Sequence, residues 1–188
     1  VGFSGRVLNP DVKAAKYVNT PETYVFHKSR VLYGMHLARQ ALKDHGGALV
    51  CEGQMDVIAC HRAGLTNAVA PQGTAFTENH ARIIKRFTDH VTFAFDSDTA
   101  GMKAAVKSIA IAMQAELTIQ VVLFPEYDDP DSIFTNQGAD KLRQVVSNSM
   151  DALAFAYDFI ATERDLRRPD QKDIVAREIA DLITCHPS

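Results

Sequence analysis

Residues 91–101 read Val91-Thr92-Phe93-Ala94-Phe95-Asp96-Ser97-Asp98-Thr99-Ala100-Gly101. The apolar run in this segment ends at residue 95, and a helical pattern follows over about residues 100–115. Three further apolar runs end at residues 51, 70 and 124, and each also leads into a helical pattern. Apolar strands that alternate with helices are typical of β-α-β units, in which helices cover both faces of a parallel sheet. The sequence therefore predicts an α/β fold with a parallel central sheet.

Acidic residues stand at or just after the ends of three of these apolar runs. They are Glu52, Asp96, Asp98, Asp128, Asp129 and Asp131. The carboxyl ends of parallel strands form the ligand-binding edge of an open sheet, so these side chains are expected to converge. Converging carboxylates repel each other, and a hard divalent cation such as Mg²⁺ relieves that repulsion. The spacing favours a metal site, with helix capping and loop solvation as the alternative explanation for any single residue.

The charges are distributed unevenly along the 188 residues, whose net charge is −3. Residues 1–46 carry seven Lys or Arg against three acidic residues, whereas residues 47–188 carry 13 against 20. A negative net charge alone argues against a nucleic-acid-binding protein. The division into a basic beginning and an acidic body weakens that argument, because the basic part suits phosphate groups.

Composition excludes several classes of protein. The apolar content of 46% and charged content of 23% are typical of a folded globular domain. There is no apolar run of the ~18–20 residues that cross a membrane, and no signal peptide at the beginning. The three cysteines lack CxxC spacing, which favours a reducing, cytoplasmic location and argues against a structural zinc site in this segment. Because the sequence begins at Val1 without Met, we expect the native protein to extend on both sides.

The basic beginning is predicted to be irregular. Short strands are expected at Gly2-Phe3 and Arg6-Val7-Leu8, followed by a helix that Ser29 caps. Apolar residues recur at helical spacing from Val31 to Leu42, and Gly46-Gly47 should end the helix.

The last part of the sequence is predicted to be helical. After Gly138 the expected helices cover about 139–148, 150–166 and 170–184, the last capped by Asp170. One earlier helix carries Arg82, Lys85 and Arg86 on one face, which is either a solvated surface or a contact for phosphate.

Several of these motifs resemble the TOPRIM domain in order and spacing. They are Glu52-Gly53-x-Met55-Asp56, Gly73-Thr74, Asp96-x-Asp98-x-Ala100-Gly101 and Asp129-Pro130-Asp131. The preceding stretch is similar to bacterial DnaG-type primases in Phe3-x-Gly5-Arg6-Val7, Lys16-Tyr17-x-Asn19-x-Pro21-Glu22-Thr23-x-x-Phe26-His27-Lys28 and Leu32-Tyr33-Gly34. Two positions depart from the family pattern: Ser97 stands where Gly is usual, and Gln54 replaces an aromatic residue.

The resemblance implies a Rossmann-like TOPRIM sheet at residues 47–137. An irregular basic segment at 1–46 and a helical subdomain at 138–188 would flank it. It also implies DNA-dependent synthesis of short RNA primers from NTPs, by two-metal nucleotidyl transfer. The implied partners are a single-stranded DNA template, NTPs and the RNA primer–DNA hybrid, in the bacterial cytoplasm and without a membrane. A zinc-binding module and a segment that binds the replicative helicase would lie outside this chain.

The resemblance assigns roles to particular residues. The catalytic residues would be Glu52, Asp96 and Asp98, and the ligands of Mg²⁺, or of Mn²⁺ in its place, would be Glu52, Asp96, Asp98, Asp129 and Asp131. Glu52 could serve as metal ligand or as proton acceptor. Nucleotide or template would contact Arg6, Lys16 and Lys28. Two alternatives stay open: another TOPRIM enzyme, such as a topoisomerase or an OLD-type nuclease, and a non-catalytic nucleic-acid-binding module.

Overall fold

A computed structural model describes residues 2–7, 17–44, 46–125, 128–162 and 164–187. The strands are β1 Ser4–Arg6, β2 Tyr17–Asn19, β3 Leu32–Tyr33, β4 Ala48–Cys51, β5 Ala68–Pro71, β6 His90–Ala94, β7 Thr118–Val121 and β8 Met150–Asp151. The helices are α1 Met35–Asp44, α2 Gln54–Arg62, α3 Glu78–Lys85, α4 Thr99–Gln114, α5 Pro130–Gln137, α6 Ala139–Ser147, α7 Ala152–Thr162 and α8 Pro169–Ile183. A 3₁₀ helix spans Lys28–Arg30.

Six strands form one sheet in the order β3-β5-β4-β6-β7-β8. The four inner strands are parallel, and the short strands β3 and β8 pair antiparallel at the two edges. Strands β1 and β2 form a separate antiparallel pair. The predicted α/β fold is confirmed, because the apolar runs do become parallel strands connected by helices.

The two faces of the sheet are covered by different helices. Val50 and Phe93 face a core that includes side chains of α1, α3, α4, α7 and α8. Leu49 and Cys51 face the opposite core, which includes side chains of α2, α5 and α6. Burial on both faces explains why β4 and β5 are buried along their whole length and why their sequences are continuously apolar.

The helix predicted from Ser29 begins instead at Met35. Residues Leu32 and Tyr33 form a strand against β5, and the chain turns at Gly34 with a φ of +80°. The helical spacing was misleading because Leu32 is buried in the sheet and Met35 is buried by the helix, so both positions are apolar for different reasons. At the beginning of the chain, β1 covers Ser4–Arg6 rather than the two predicted pieces, and Leu8 lies outside the described residues.

Element boundaries elsewhere follow the predictions with four corrections. Thr77 caps α3 as predicted, whereas β7 ends at Val121 rather than 124, and β6 ends at Ala94. The predicted 150–166 helix is shorter, because Met150–Asp151 pairs with β7 before α7 begins. Arg168 occupies the cap position of α8, and Asp170 lies in its first turn.

The predicted domain boundaries, between residues 46 and 47 and between residues 137 and 138, stay predictions. The sheet also includes β3, which precedes residue 47, and β8, which follows residue 137. In the described part of the chain, no helix is long and apolar enough to cross a membrane.

Gly34 and Gly46 provide a matched pair for testing the turn before α1. Both have positive φ, but a Cβ on Gly34 would lie 3.0 Å from Val57 Cγ1 and 3.1 Å from the Ala68 carbonyl oxygen, whereas a Cβ on Gly46 would meet nothing within 4 Å. Gly46→Ala should lower the free energy of unfolding by about 1–2 kcal/mol through backbone strain alone. Gly34→Ala should lower it by about 1–3 kcal/mol more, because packed neighbours must also move. Urea unfolding measures both, and equal losses would contradict this packing.

Candidate active site

A cleft of about 320 Å³ lies at the carboxyl ends of the inner strands. Five carboxylates line it: Glu52, Asp56, Asp96, Asp129 and Asp131. Its lining also includes Ser4, Arg6, Tyr17 and Asn19 from the β1–β2 pair. The cleft therefore contains a group of acidic side chains together with residues of the basic segment, including one arginine.

Glu52 and Asp96 are joined by a hydrogen bond across neighbouring strands. Cys51 pairs with Ala94 in the β4–β6 register, so the residues after both strands emerge side by side. The backbone N–H of Asp96 donates to Glu52 Oε1 at 3.0 Å. Partial burial, with the nearby charge of Asp96, raises the pKa of Glu52 above its ordinary value, and the hydrogen bond opposes that rise.

Gly101 is required where α4 approaches this pair. A Cβ at this position would overlap the carbonyl oxygen of Asp96 and lie 2.8 Å from Glu52 Oε1. The predicted Asp96-x-Asp98-x-Ala100-Gly101 motif thus has a physical reason, since only glycine lets α4 begin so close to both residues.

Asp56 is the site residue that the assignment from sequence missed. It lies in the first turn of α2, where its Oδ2 accepts the Gly53 N–H at 3.0 Å, and only 8% of it is exposed. Burial, followed by the charges of Asp129 and Asp96, raises the pKa of Asp56 to about 7. The signal was present in the quoted Glu52-Gly53-x-Met55-Asp56 motif, where Asp56 was given no role.

Two of the predicted metal ligands also cap helices. Asp98 Oδ1 accepts the Gly101 N–H at 2.7 Å at the start of α4, and Asp129 Oδ1 accepts the Ser132 N–H at 2.6 Å at the start of α5. Capping uses one carboxylate oxygen of each. Among the described residues that line the cleft, Asp129 is present and Asp98 is not. The charge of Asp98 nevertheless contributes to the raised pKa of Glu52, so Asp98 lies close to the site.

The three predicted cationic residues have different positions. Arg6 lines the cleft, and its guanidinium lies 5.7 Å from the centre of the Tyr17 ring. Lys28 lies in the 3₁₀ helix and is not among the described residues that line the cleft. Lys16 lies outside the described residues.

The chemistry of the cleft fits a hard divalent cation. All five acidic side chains offer carboxylate oxygens, the ligands that Mg²⁺ and Mn²⁺ prefer. Burial first, and then the charges of neighbouring carboxylates, raise the pKa values of Glu52 and Asp56. Within the described ranges, no three His, Cys, Asp or Glu side chains are already gathered as a metal-binding group. The carboxylates share a cleft, and the metal-ligand assignments remain predictions.

The sheet and the carboxylate cleft define a Toprim-like protein, and a family model described as Toprim-like matches residues 49–134. A second model, described as the N-terminal domain of the DNA primase catalytic core, matches residues 1–39. The chain belongs to the DnaG-type bacterial DNA primases, within their catalytic core. The match at residues 1–39 selects this family over the topoisomerases and nucleases that share the TOPRIM domain.

Known relatives cover almost the whole chain. A DNA primase from Listeria innocua is 38% identical over 186 residues, which are 96% of this chain and 30% of that protein. A crystal structure of a DNA primase domain from Pseudomonas aeruginosa has a TM-score of 0.87 at 35% identity, covering 99% of this chain and 59% of that one. The DnaG primase catalytic domain bound to single-stranded DNA has a TM-score of 0.86 at 33% identity, covering 100% and 59%. The chain thus spans only 25–30% of the first curated relatives.

The raised pKa of Asp56 predicts a pH-dependent stability. Between about pH 4 and 7 the folded protein keeps a proton that the unfolded chain has lost, so this group lowers the free energy of unfolding as pH rises through that range. Asp56→Asn keeps the oxygen that accepts the Gly53 N–H and cannot ionise. In EDTA, the variant should lose less stability than the unmodified chain between pH 4 and 7.5, by a difference on the order of a few kcal/mol.

Urea unfolding across this pH range measures the effect. Asp44→Asn, at the exposed C-terminal end of α1, should leave the pH profile unchanged. Identical profiles for the unmodified chain and Asp56→Asn would contradict the raised pKa.

Proposed function

We propose that this chain contributes the nucleotidyl-transfer site of a primase, which synthesises short RNA primers from NTPs on a DNA template. The observation that carries the proposal is the cleft that five carboxylates and Arg6 line together. Its support from relatives is twofold: many similar proteins are DNA primases, and one similar catalytic domain is bound to single-stranded DNA.

The acidic residues of the cleft would hold the divalent ions. Asp96, Asp129 and Asp131 would provide carboxylate oxygens for that purpose, together with Asp98 close to the cleft, and Glu52 would be a further ligand or the proton acceptor. What Mg²⁺ or Mn²⁺ supplies when bound is a lower pKa for the primer 3′-hydroxyl and compensation for charge on the departing pyrophosphate.

Other groups of the chain would orient the substrates. Arg6 lines the same cleft, where its guanidinium would bind a nucleotide phosphate or the template backbone through paired N–H donors. The Asp96 N–H fixes the direction of the Glu52 carboxylate. Burial and the nearby Asp96 charge raise the pKa of Glu52, which makes its carboxylate a stronger proton acceptor than an ordinary glutamate. Lys16 and Lys28 remain candidates for the same phosphate contacts.

Primer synthesis by the full-length protein tests the proposal. Glu52→Gln and Asp96→Ala should each reduce template-dependent NTP incorporation by about 100-fold or more, because each removes a charge that the reaction needs. Asp158→Asn, on the exposed side of α7, should retain normal activity. Undiminished synthesis by either folded site variant would refute the assignment and favour a non-catalytic nucleic-acid-binding module.

Metal binding can be measured separately from activity. Titration of Mn²⁺ followed by electron paramagnetic resonance should show at least about 10-fold weaker binding in Asp129→Asn and Asp131→Asn, since each loses an anionic oxygen from the cleft. The Asp158→Asn control should bind Mn²⁺ like the unmodified chain. Unchanged affinity in both Asp129→Asn and Asp131→Asn would remove these residues from the metal site.

A further inference from the structure

Three arginines from two separate segments line a second concavity. Arg30 comes from the 3₁₀ helix, and Arg82 and Arg86 come from α3; with Asn79 and Ile83 they line a space of about 270 Å³. We call Arg30, Arg82 and Arg86 the α3 basic surface. None of the described residues lines both this surface and the carboxylate cleft. The positive charge of the surface is therefore separate from the cleft.

Buried hydrogen bonds hold the 3₁₀ helix against α3. The Thr77 hydroxyl donates to the Ser29 carbonyl oxygen at 2.8 Å, and His80 Nε2 donates to the Lys28 carbonyl oxygen at 3.0 Å. His80 is fully buried, and its Nδ1 accepts the Thr77 N–H at 3.2 Å, which fixes the neutral ring with its proton on Nε2. Burial keeps the pKa of His80 low, consistent with that neutral state. These buried hydrogen bonds therefore fix the 3₁₀ helix, and with it Arg30, beside α3.

The α3 basic surface carries charge that internal contacts leave mostly uncompensated. Within the described residues, Arg30 and Arg86 form no ion pair, and Arg82 pairs with Glu78 at 2.9 Å. Both members of that pair are exposed, with 70% and 62% of their side chains accessible, so the pair is weak and easily exchanged for another anion. Lys85 differs because its ammonium group forms an ion pair with Asp89 and donates a hydrogen bond to the Glu116 carbonyl oxygen.

The position of this surface relates it to the cleft. Pro71 and Gly73 line the cleft, and Thr77 caps α3 four residues after Gly73. Arg82 lies about 6 Å along the helix axis from Glu78, the first residue of α3. Residues 73–77 therefore link the cleft to the start of α3, and Arg82 follows one helical turn further on.

We propose that the α3 basic surface binds the phosphate backbone of single-stranded DNA outside the carboxylate cleft. Guanidinium groups match phosphate through paired N–H donors. No aromatic side chain is among the described residues that line the concavity, so the contact involves phosphates and is independent of base sequence. The proposal rests on the template-dependent function proposed above, and adds a second place where the template is held.

Salt-dependent binding of the chain to an oligothymidylate tests this surface. The unmodified chain, an Arg30→Gln/Arg82→Gln/Arg86→Gln variant and an Arg167→Gln/Arg168→Gln/Arg177→Gln control should be compared by fluorescence anisotropy from 50 to 200 mM salt. Both triple variants lose three exposed arginines, and the pairs Arg82–Glu78 and Arg177–Asp173 are both i,i+4 ion pairs on helices. The control therefore matches the change in net charge and the loss of one i,i+4 pair, and it also removes the ion pairs Arg167–Asp165 and Arg168–Asp170.

Loss of three phosphate contacts should reduce the slope of log K against log salt by about 2, at about 0.7 per contact with a single strand. The control should keep the slope of the unmodified chain, and Lys85→Gln should change it less than Arg86→Gln does. Equal slopes for the two triple variants, or no salt-dependent binding by the unmodified chain, would overturn the proposal. Glu52→Gln should bind with an unchanged slope while losing primer synthesis, so failure of the surface and failure of the catalytic assignment give different results.

Discussion

The hydrogen bond from the Asp96 N–H to Glu52 Oε1 is the contact around which the site is arranged. It exists because β4 and β6 are parallel neighbours in a register that ends both strands at the same level. It holds two acidic residues together in a partly buried place, where burial and the Asp96 charge raise the pKa of Glu52 and the hydrogen bond itself partly opposes that rise. Gly101 allows α4 to begin against Glu52 and Asp96. The packing of α4 on the sheet and the charge of the cleft therefore both depend on these three residues.

The carboxylates of the site also serve the fold. Asp98 and Asp129 cap α4 and α5, and Asp56 lies in the first turn of α2. Helix N-termini carry unpaired N–H groups and partial positive charge, which favour carboxylates at these places. The two explanations considered for the sequence, capping and ligand binding, are therefore compatible, because a capping carboxylate has a second oxygen. The helix N-termini thus partly stabilise the negative charge of these carboxylates. A bound cation would neutralise the charge that remains.

The sequence predicted the sheet and most of the carboxylates that line the cleft, because strand ends and helix starts are local features. Glu52, Asp96 and Asp129 converge as expected from their positions after β4, β6 and β7. Other features depended on distant packing. Leu32 has the spacing of a helix and lies in a strand because β5 offers an unpaired edge. The raised pKa of Asp56 depends in part on the charge of Asp129 from another loop, and the convergence of Arg30 with α3 depends on buried His80. Neither is visible in local spacing.

The central claim is that the cleft holds charge that a divalent cation relieves, and the ionisation of Glu52 tests it most directly. The ¹³C chemical shift of the Glu52 carboxyl group can be followed against pH, first in EDTA and then with saturating Mg²⁺. We predict a pKa above the ordinary glutamate value in EDTA and a clear decrease with Mg²⁺, because the cation stabilises the ionised form. An ordinary pKa in EDTA, or a raised pKa that Mg²⁺ leaves unchanged, would contradict the account.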